Sequence, residues 1–307
     1  MATALAAAST APAFAQTPAP LTLHLSGTGA DDVIPALYAQ KAGLFRAAGF
    51  DTVYDRANSG AATVAAVVGG AVDIGKSSMG SLITARARNI DLKILAGGAL
   101  FRSTSTHGEV LLVVAADSGL RTAKDLNGKT LSVPSLGDQN VMAARAWVDQ
   151  QGGDSRTLLF VEIPSNAAAG AIAQGRVAGS VLVPPFAARA IADGKMRSIA
   201  TVFSAIAPRF LETAWFTTGD YATKHRDLVK RFGKIVGDAS AYVNTHPADA
   251  AGVFEPFASL PAATILDNGI SFLATSVEPR DIQPLIDEMV KYALIDHRVD
   301  ANDFLVK

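Results

Sequence analysis

The sequence predicts an α/β protein with two related lobes, each built on a mainly parallel sheet that helices cover. Strand-like alternation and helical spacing of apolar residues take turns along the N-terminal part of the chain. The same order of signals returns about 105 residues further on. The chain has 307 residues, 49% of them hydrophobic, which is enough to form two domains of ordinary size.

Turn and cap residues define the first elements. Residues 21–26 alternate apolar and polar side chains and predict a strand, which a glycine turn ends. Asp31 and Asp32 are expected to cap the following helix, which ends at Gly43. Residues 50–54 predict the next strand. This order of strand, turn, helix and strand is typical of a βαβ unit.

The repeated signals predict that the second lobe resembles the first. In the first lobe, residues 58–60 cap a helix of small residues, and residues 72–74 predict a strand after it. In the second lobe, residues 165–166 cap another such helix, and Val177 opens the corresponding strand. We therefore expect the two lobes to have related folds.

Further elements follow in the second lobe and the C-terminal region. Residues 130–133 predict a strand, and a helix with apolar residues at helical spacing ends at Gln151. Apolar stripes predict two C-terminal helices, within residues 228–243 and 282–290. We assign these stripes to packing in the core.

Composition excludes several functional classes. The 27 Lys and Arg residues nearly balance the 28 Asp and Glu residues and are scattered, so the basic surface that nucleic-acid binding requires is not expected. No apolar run approaches the roughly 18 residues that span a bilayer. The chain has no cysteine, which excludes disulfides, a thiolate nucleophile, cysteine metal sites and a lipid-modified N-terminal cysteine.

The N-terminal segment predicts export. Residues 1–15 are rich in alanine and end in Ala13-Phe14-Ala15 before Gln16, which is the small-x-small pattern that signal peptidase cleaves. The positively charged start of a signal peptide is missing, since the first Lys or Arg is Lys41. The alternative is a disordered tail rich in Ala, Pro and Thr. We expect a signal peptide over residues 1–15 and a free periplasmic protein.

Short motifs occur along the chain in a recognisable order: Pro35 with Tyr38-Ala39, Gly43-Leu44-Phe45, Gly70-Ala71-Val72-Asp73-Ile74, Ser118-Gly119-Leu120, Asp125-Leu126-Asn127-Gly128-Lys129, Gly175, Pro185-Phe186 and His246-Pro247. In this order they resemble the bacterial substrate-binding proteins of the nitrate, sulfonate, taurine and thiamine-precursor ABC importers, which include relatives of the thiamine-pyrimidine synthases. The resemblance covers nearly the whole chain after the export signal.

The resemblance implies a two-lobed periplasmic-binding-protein fold of type II, with two mainly parallel sheets joined by two hinge crossings. One lobe would comprise residues 21–112 and 207–307, and the other residues 113–206. It also implies a monomer that binds a small molecule, docks on an ABC permease, and needs neither a cofactor nor a metal. Ala178 and Pro184 depart from the pattern, since relatives usually have Asp and Glu there, and the missing Glu weakens the case for a thiamine-like ligand.

The candidate binding site lies in the cleft between the lobes. In open α/β sheets, ligands bind beyond the carboxyl ends of strands, where loops rich in Gly, Ser, Thr and Asn start helices and present backbone N–H groups. This chemistry favours an anion such as a sulfonate or carboxylate. The expected ligand-binding residues are Thr28, Gly29, Ala30, Ser59, Gly60, Lys76, Ser77, Ser78, His107, Ser135, Gly137, Asp138, Gln139, Ser165, Asn166, Pro184 and Phe186.

Each of these assignments has an ordinary structural alternative. The loop residues also serve as turns and helix caps, and Asp138 is expected to cap a helix. Lys76 is expected to present the only formal positive charge that contacts the ligand, although a solvated surface lysine is the common alternative. His107 lies near the first crossing, where a histidine is more often structural. Phe186 stacks on an organic ligand or packs in the core.

Catalytic functions have less support in the sequence. The Gly-x-Ser-x-Gly elbow, the Walker A motif and the dinucleotide fingerprint are all missing, and the five histidines share no metal-ligand spacing. The pyrimidine synthases carry a cysteine-rich motif that this chain lacks. The main hypothesis is a solute-binding protein without catalytic residues; the alternatives are an enzyme on the same fold and a periplasmic ligand-sensing protein.

Export gives a direct test of the N-terminal interpretation. Because the cleavage pattern ends at Ala15, N-terminal sequencing of the secreted protein is expected to start at or near Gln16. Replacing Ala13 and Ala15 with bulkier residues is expected to block this processing. A mature secreted protein that begins with Met1 would contradict the prediction.

Overall fold

The computed structural model describes residues 21–105 and 108–306. The strands are β1 (Leu21–Gly27), β2 (Phe50–Arg56), β3 (Ile74–Ser78), β4 (Leu92–Gly97), β5 (Leu100–Arg102), β6 (Leu111–Ala115), β7 (Thr130–Val133), β8 (Leu159–Glu162), β9 (Gly179–Leu182), β10 (Met196–Thr201), β11 (Arg209–Leu211) and β12 (Thr213–Thr218). The helices are α1 (Ile34–Lys41), α2 (Leu44–Ala47), α3 (Gly60–Val68), α4 (Met79–Ala87), α5 (Gln139–Gln150), α6 (Ser165–Ala173), α7 (Phe186–Ile191), α8 (Gly219–Lys224), α9 (Arg226–Thr245), α10 (Pro247–Ala258), α11 (Ala262–Asn268) and α12 (Pro279–Lys291).

Two five-stranded sheets organise the chain. The first has the order β2-β1-β3-β12-β4, and the second has the order β10-β6-β9-β7-β8. In the first sheet, β1 pairs in parallel with β2 and β3, whereas β12 runs antiparallel to β3 and β4. In the second sheet, β7 pairs in parallel with β8 and β9, whereas β6 runs antiparallel to β9 and β10. Each sheet therefore has a single reversed strand, and the predicted α/β class with two mainly parallel sheets is confirmed.

The chain passes between the sheets twice. Strands β5 and β11 lie on these passages and pair antiparallel, with Phe101 opposite Phe210. The reversed strand β6 follows the first passage, and the reversed strand β12 follows the second. The two predicted crossings thus lie side by side. The division of the chain into lobes at residues 112 and 207 stays a prediction.

The local predictions agree with the structure in most elements and differ in a few. Residues 165–166 do not cap α6, because the helix already begins at Ser165 after Pro164, and the strand expected from Val177 starts only at Gly179. Ser59 caps α3 and Asp138 caps α5, as expected. Asp31 and Asp32 cap no helix, because both carboxylates bond to distant parts of the chain. The strand expected over residues 72–74 starts only at Ile74 and continues to Ser78, because pairing with β12 extends it.

The core of the first sheet is aromatic and closely packed. Trp215 on β12 is fully buried, and its ring lies 5.6 Å from Phe232 of α9 in an edge-to-face contact. Phe45 stacks on the other side of Phe232, with the ring centroids 5.5 Å apart. The C-terminal apolar stripes thus face the core, as predicted. No helix within the described residues is long and apolar enough to cross a bilayer.

Helix α9 approaches β4 closely enough that one position requires glycine. A Cβ atom on Gly233 would overlap the backbone carbonyl oxygen of Leu95, whereas one on Gly252 of α10 would meet no atom within 4 Å. We expect Gly233→Ala to lower the free energy of unfolding by about 1 to 3 kcal/mol, because overpacking outweighs the gain in helix propensity.

Gly252→Ala is the matched control, since it changes the same residue type in an exposed helix. It is expected to leave stability unchanged or to raise it by up to about 1 kcal/mol. Chemical denaturation of both variants measures the difference. Equal stability of the two variants would contradict the close approach of α9 to β4.

Candidate functional site

A cavity of about 250 Å³ lies between the two sheets, at the ends of their parallel strands. On the side of the first sheet, it is lined by residues that follow β1 and β2 and by the end of β3. On the side of the second sheet, it is lined by residues that follow β7, β8 and β9. Six parallel strands thus deliver their carboxyl ends to one cavity, which is the arrangement expected for ligand binding in α/β folds.

Most of the residues expected in the cleft line this cavity: Thr28, Gly29, Ala30, Gly60, Lys76, Ser77, Ser78, Asp138, Gln139, Ser165, Asn166, Pro184 and Phe186. Ser59, Ser135 and Gly137 do not line it. Ser59 accepts a hydrogen bond from the Ala62 amide, and the Gly137 carbonyl accepts one from the Thr84 hydroxyl at 2.8 Å. His107 lies outside the described residues. A role in ligand binding stays a prediction for all of them.

Lys76 contributes a charge that the protein already neutralises. The residue is 1% exposed on β3, and its ammonium pairs with the carboxylate of Asp32, which is 2% exposed. The second carboxylate oxygen of Asp32 accepts a hydrogen bond from the Thr213 hydroxyl. A buried ammonium requires such a partner, because an unpaired charge in the interior is very costly. The alternative of a solvated surface lysine is therefore wrong, whereas a contact between Lys76 and the ligand stays a prediction.

Two more carboxyl groups, those of Asp31 and Glu212, line the cavity close to Asp32. We call the part of the lining formed by these three acids the floor. Asp31 accepts hydrogen bonds from the backbone N–H and the hydroxyl of Ser271, at 2.7 and 3.0 Å. Burial, helped by the charge of Asp32, raises the pKa of Asp31 to about 7. Burial and the charges of Asp31 and Asp32 raise the pKa of Glu212 well above its ordinary value. The floor thus carries two carboxyl groups whose pKa values are raised by burial.

Asp138 combines two roles at the opposite wall. Its carboxylate caps α5 by accepting a hydrogen bond from the Gln139 N–H at 2.6 Å, as the sequence predicted. Burial raises its pKa to about 6, although hydrogen bonds from the Ser78 hydroxyl and the Gln139 N–H oppose this shift. The same residue is therefore a helix cap and part of the cavity wall.

Arginine side chains, which sequence reasoning missed, supply the positive charge in the lining. The guanidinium of Arg56 lies 3.9 Å from the ring centroid of Phe257. Arg189 donates a hydrogen bond to the Ala258 carbonyl at 2.7 Å. Both arginines are exposed. Arg56 ends β2, and Arg189 lies on α7 after β9 on the opposite side of the cavity, positions that the order of predicted elements could have indicated.

Buried polar atoms without a partner complete the lining. Among the described residues, the Ser77 hydroxyl and the Asn140 Oδ1 atom have no hydrogen-bond partner, although the two residues are only 2% and 3% exposed. Buried polar groups are rarely left unpaired in proteins, so each such group requires an explanation. No group of three or more His, Cys, Asp or Glu side chains within residues 21–105 and 108–306 is arranged to hold a metal ion.

Almost all residues that line this cavity lie in the part of the chain that one protein-family model matches. The family model described as NMT1/THI5 like matches residues 30–250, which is more than half of the chain. The chain belongs to the NMT1/THI5-like family. The family resemblance predicted from the ordered motifs is therefore confirmed. Among curated protein sequences, none matches the chain.

Solved structures place this family member in a well-populated fold. The alkanesulfonate-binding protein SsuA from Xanthomonas axonopodis pv. citri, bound to MOPS, superposes with a TM-score of 0.79 at 17% identity, covering 94% of this chain and 99% of that one. The periplasmic aliphatic sulphonate binding protein SsuA from Escherichia coli gives 0.72 at 18%, covering 94% and 92%. The periplasmic nitrate-binding protein NrtA from Synechocystis PCC 6803 gives 0.76 at 14%, covering 92% and 84%. The predicted periplasmic-binding-protein fold is thus confirmed.

The buried pair in this family member gives a stability prediction. Lys76→Ala leaves the Asp32 carboxylate buried without its ammonium, so we expect the free energy of unfolding to fall by about 3 to 5 kcal/mol. Replacing both partners, Lys76→Met with Asp32→Asn, is expected to recover much of this loss, because no unpaired charge remains.

Lys234→Ala is the control, since this lysine forms an exposed ion pair with Asp238. Its effect is expected to stay within about 0.5 kcal/mol. Urea denaturation of the three variants measures the differences. Lys76→Ala and Lys234→Ala with equal stability would show that the buried pair contributes no more than the surface pair.

Proposed function

We propose that this chain is the ligand-binding component of an ABC importer and captures a small organic acid in the cavity between its sheets. The observation that carries this proposal is the cavity itself, about 250 Å³, whose lining comes from both sheets. A cavity divided between two units suits capture by hinge closure. The protein would act in the periplasm as a monomer and deliver its ligand to a membrane permease.

Contacts between the two sides of the cavity support closure. The Gln139 side chain accepts a hydrogen bond from the Gly80 amide at 3.0 Å and donates one to the Glu212 carbonyl at 3.0 Å. On another side, Arg189 of α7 reaches the last turn of α10. We take residues 21–112 with 207–307, and residues 113–206, as the two lobes that these bonds join.

Helix N-termini support the acidic nature of the ligand. Helices α3, α4, α5 and α6 all begin at the cavity, and each N-terminus contributes about 0.3 to 1 kcal/mol toward a nearby negative charge. Arg56 adds a full positive charge. The acidic group of the ligand is therefore expected beside Arg56, Gly60 and Asn166, and not against Lys76. The names of the solved neighbours, which bind sulfonates and nitrate, agree with this chemistry.

Binding without conversion is the favoured function over an enzyme on the same fold. The described residues that line the cavity include serine hydroxyls but no histidine that could activate them as nucleophiles. Recovery of the ligand unchanged distinguishes the two functions. A periplasmic sensing protein would bind its ligand in the same way but would be encoded without a permease nearby.

A ligand panel tests the proposed function. Small carboxylates and sulfonates are expected to raise the melting temperature in a thermal-shift screen, whereas alcohols of the same size are not, because binding only the native state stabilises it. Arg56→Gln is expected to weaken the best acid about tenfold or more, as the loss of a charge-assisted hydrogen bond predicts.

Arg46→Gln is the matched control, since Arg46 is an exposed arginine of α2 that pairs with Asp51 and does not line the cavity. Its ligand affinity is expected to equal that of the unmodified protein. Calorimetry measures both affinities, and chromatography recovers the ligand after incubation. A panel in which no acid binds, or a ligand that is chemically converted, would contradict the proposed function.

A further inference from the structure

Glu212 presents a carboxyl group to the cavity that has no hydrogen-bond partner within the described part of the chain. The residue is 7% exposed, and its carboxyl accepts no hydrogen bond from any described residue. Its backbone is held firmly, because the carbonyl oxygen accepts hydrogen bonds from the Met79 amide at 2.8 Å and from the Gln139 side chain at 3.0 Å. The backbone of Glu212 is therefore fixed beside the cavity, while its carboxyl keeps its bonding capacity unused.

The two neighbouring acids, Asp31 and Asp32, do have hydrogen-bond partners. Ser271 satisfies both oxygens of Asp31, and Lys76 with Thr213 satisfies Asp32. Three carboxyl groups therefore face one ammonium, which is already paired. A positive group that entered the cavity would find Glu212 as its open partner and would favour the ionised form of its carboxyl.

A second buried acceptor lines the same cavity. The Asn140 Oδ1 atom has no hydrogen-bond partner among the described residues and is buried, at 3% exposure of the residue. A carbonyl oxygen can only accept, so it requires a donor from the ligand. Glu212 lies on the side of the first sheet and Asn140 on that of the second. Acceptors on both sides of the cavity thus lack a donor.

We propose that Glu212 binds a protonated amine or a similar basic N–H group of the ligand, so that the bound molecule is a small acid that also carries a basic nitrogen. This inference rests on the proposed function, which supplies the acidic group at the helix N-termini and Arg56. The two ends of such a ligand match the two kinds of groups in the lining, the donors at the helix N-termini and Arg56, and the unpaired acceptors Glu212 and Asn140. Glu212 is then the residue that selects amino acids and amino sulfonates over simple acids.

The proton balance of binding has a defined sign. Burial raises the pKa values of Glu212 and Asp31, helped by the charges of the neighbouring carboxyl groups, and that of Asp31 reaches about 7. A cationic group favours the ionised forms, so its binding releases protons and strengthens as the pH rises through about 6 to 7, where Asp138 of the opposite wall and Asp31 titrate. An acid without an amine favours the protonated forms, so its binding weakens over the same range.

Matched ligand pairs test the inference. The probes are straight-chain carboxylates and sulfonates of two to four carbons, each with and without a terminal amine. In the unmodified protein, the amine-bearing member of the best pair is expected to bind at least tenfold more tightly. Glu212→Gln is expected to remove this preference while retaining the affinity for the amine-free acid, because the amide cannot balance a positive charge.

Glu255→Gln is the control, since Glu255 is an exposed residue of α10 that does not line the cavity. Its preference for the amine is expected to equal that of the unmodified protein. Calorimetry in two buffers with different ionisation enthalpies counts the protons released, and Glu212→Gln is expected to release fewer. The melting temperature of each variant without ligand checks that it is folded.

The outcomes separate the two proposals. Amine-free acids that bind as tightly as their amine partners, or a preference that survives Glu212→Gln, would overturn the role of Glu212 and leave the proposed function intact. Binding of the amine-bearing probes with proton uptake would also overturn it, because a protonated Glu212 would then donate to the acid. If no acid of either series binds, the proposed function fails and the inference fails with it.

Discussion

The ion pair between Lys76 and Asp32 is the interaction on which the cavity depends. It joins the end of β3 to the segment after β1, and Thr213 at the start of β12 adds a hydrogen bond to the same carboxylate. Three segments of the first sheet therefore meet at one buried charge pair. Such pairs often add little net stability, but breaking one is costly, so this pair fixes the relative positions of the three segments.

Lys76 and Asp32 neutralise each other, and this affects the balance of charge in the whole cavity. Since Lys76 is paired with Asp32, the proposed attraction of an acid rests on helix N-termini and on Arg56, which line the cavity. Asp31 and Glu212 remain on the floor, and their raised pKa values follow from burial close to Asp32. Donors and acceptors thus line the same cavity.

The two chain crossings explain how this cavity is assembled. Strands β5 and β11 pair between the sheets, and Glu212 follows β11 directly, so the hinge carries a cavity residue on its own backbone. Its carbonyl also accepts the hydrogen bond from Gln139 of the second sheet. Movement at the crossings would therefore change both the contact between the sheets and the position of the unpaired carboxyl group.

The sequence by itself determined the α/β class, the repeated units and most of the cavity loops, because strand alternation, helix caps and glycine turns depend on residues close together in the chain. Ser59 and Asp138 cap helices as expected for this reason. Only the tertiary structure decided which charges remain free. Lys76 lies 44 residues from Asp32, and Asp31 lies 240 residues from Ser271. Local sequence patterns do not show such pairings. Folding brings distant segments together, and it both buries the charged groups and places beside them the partners that buried charges require.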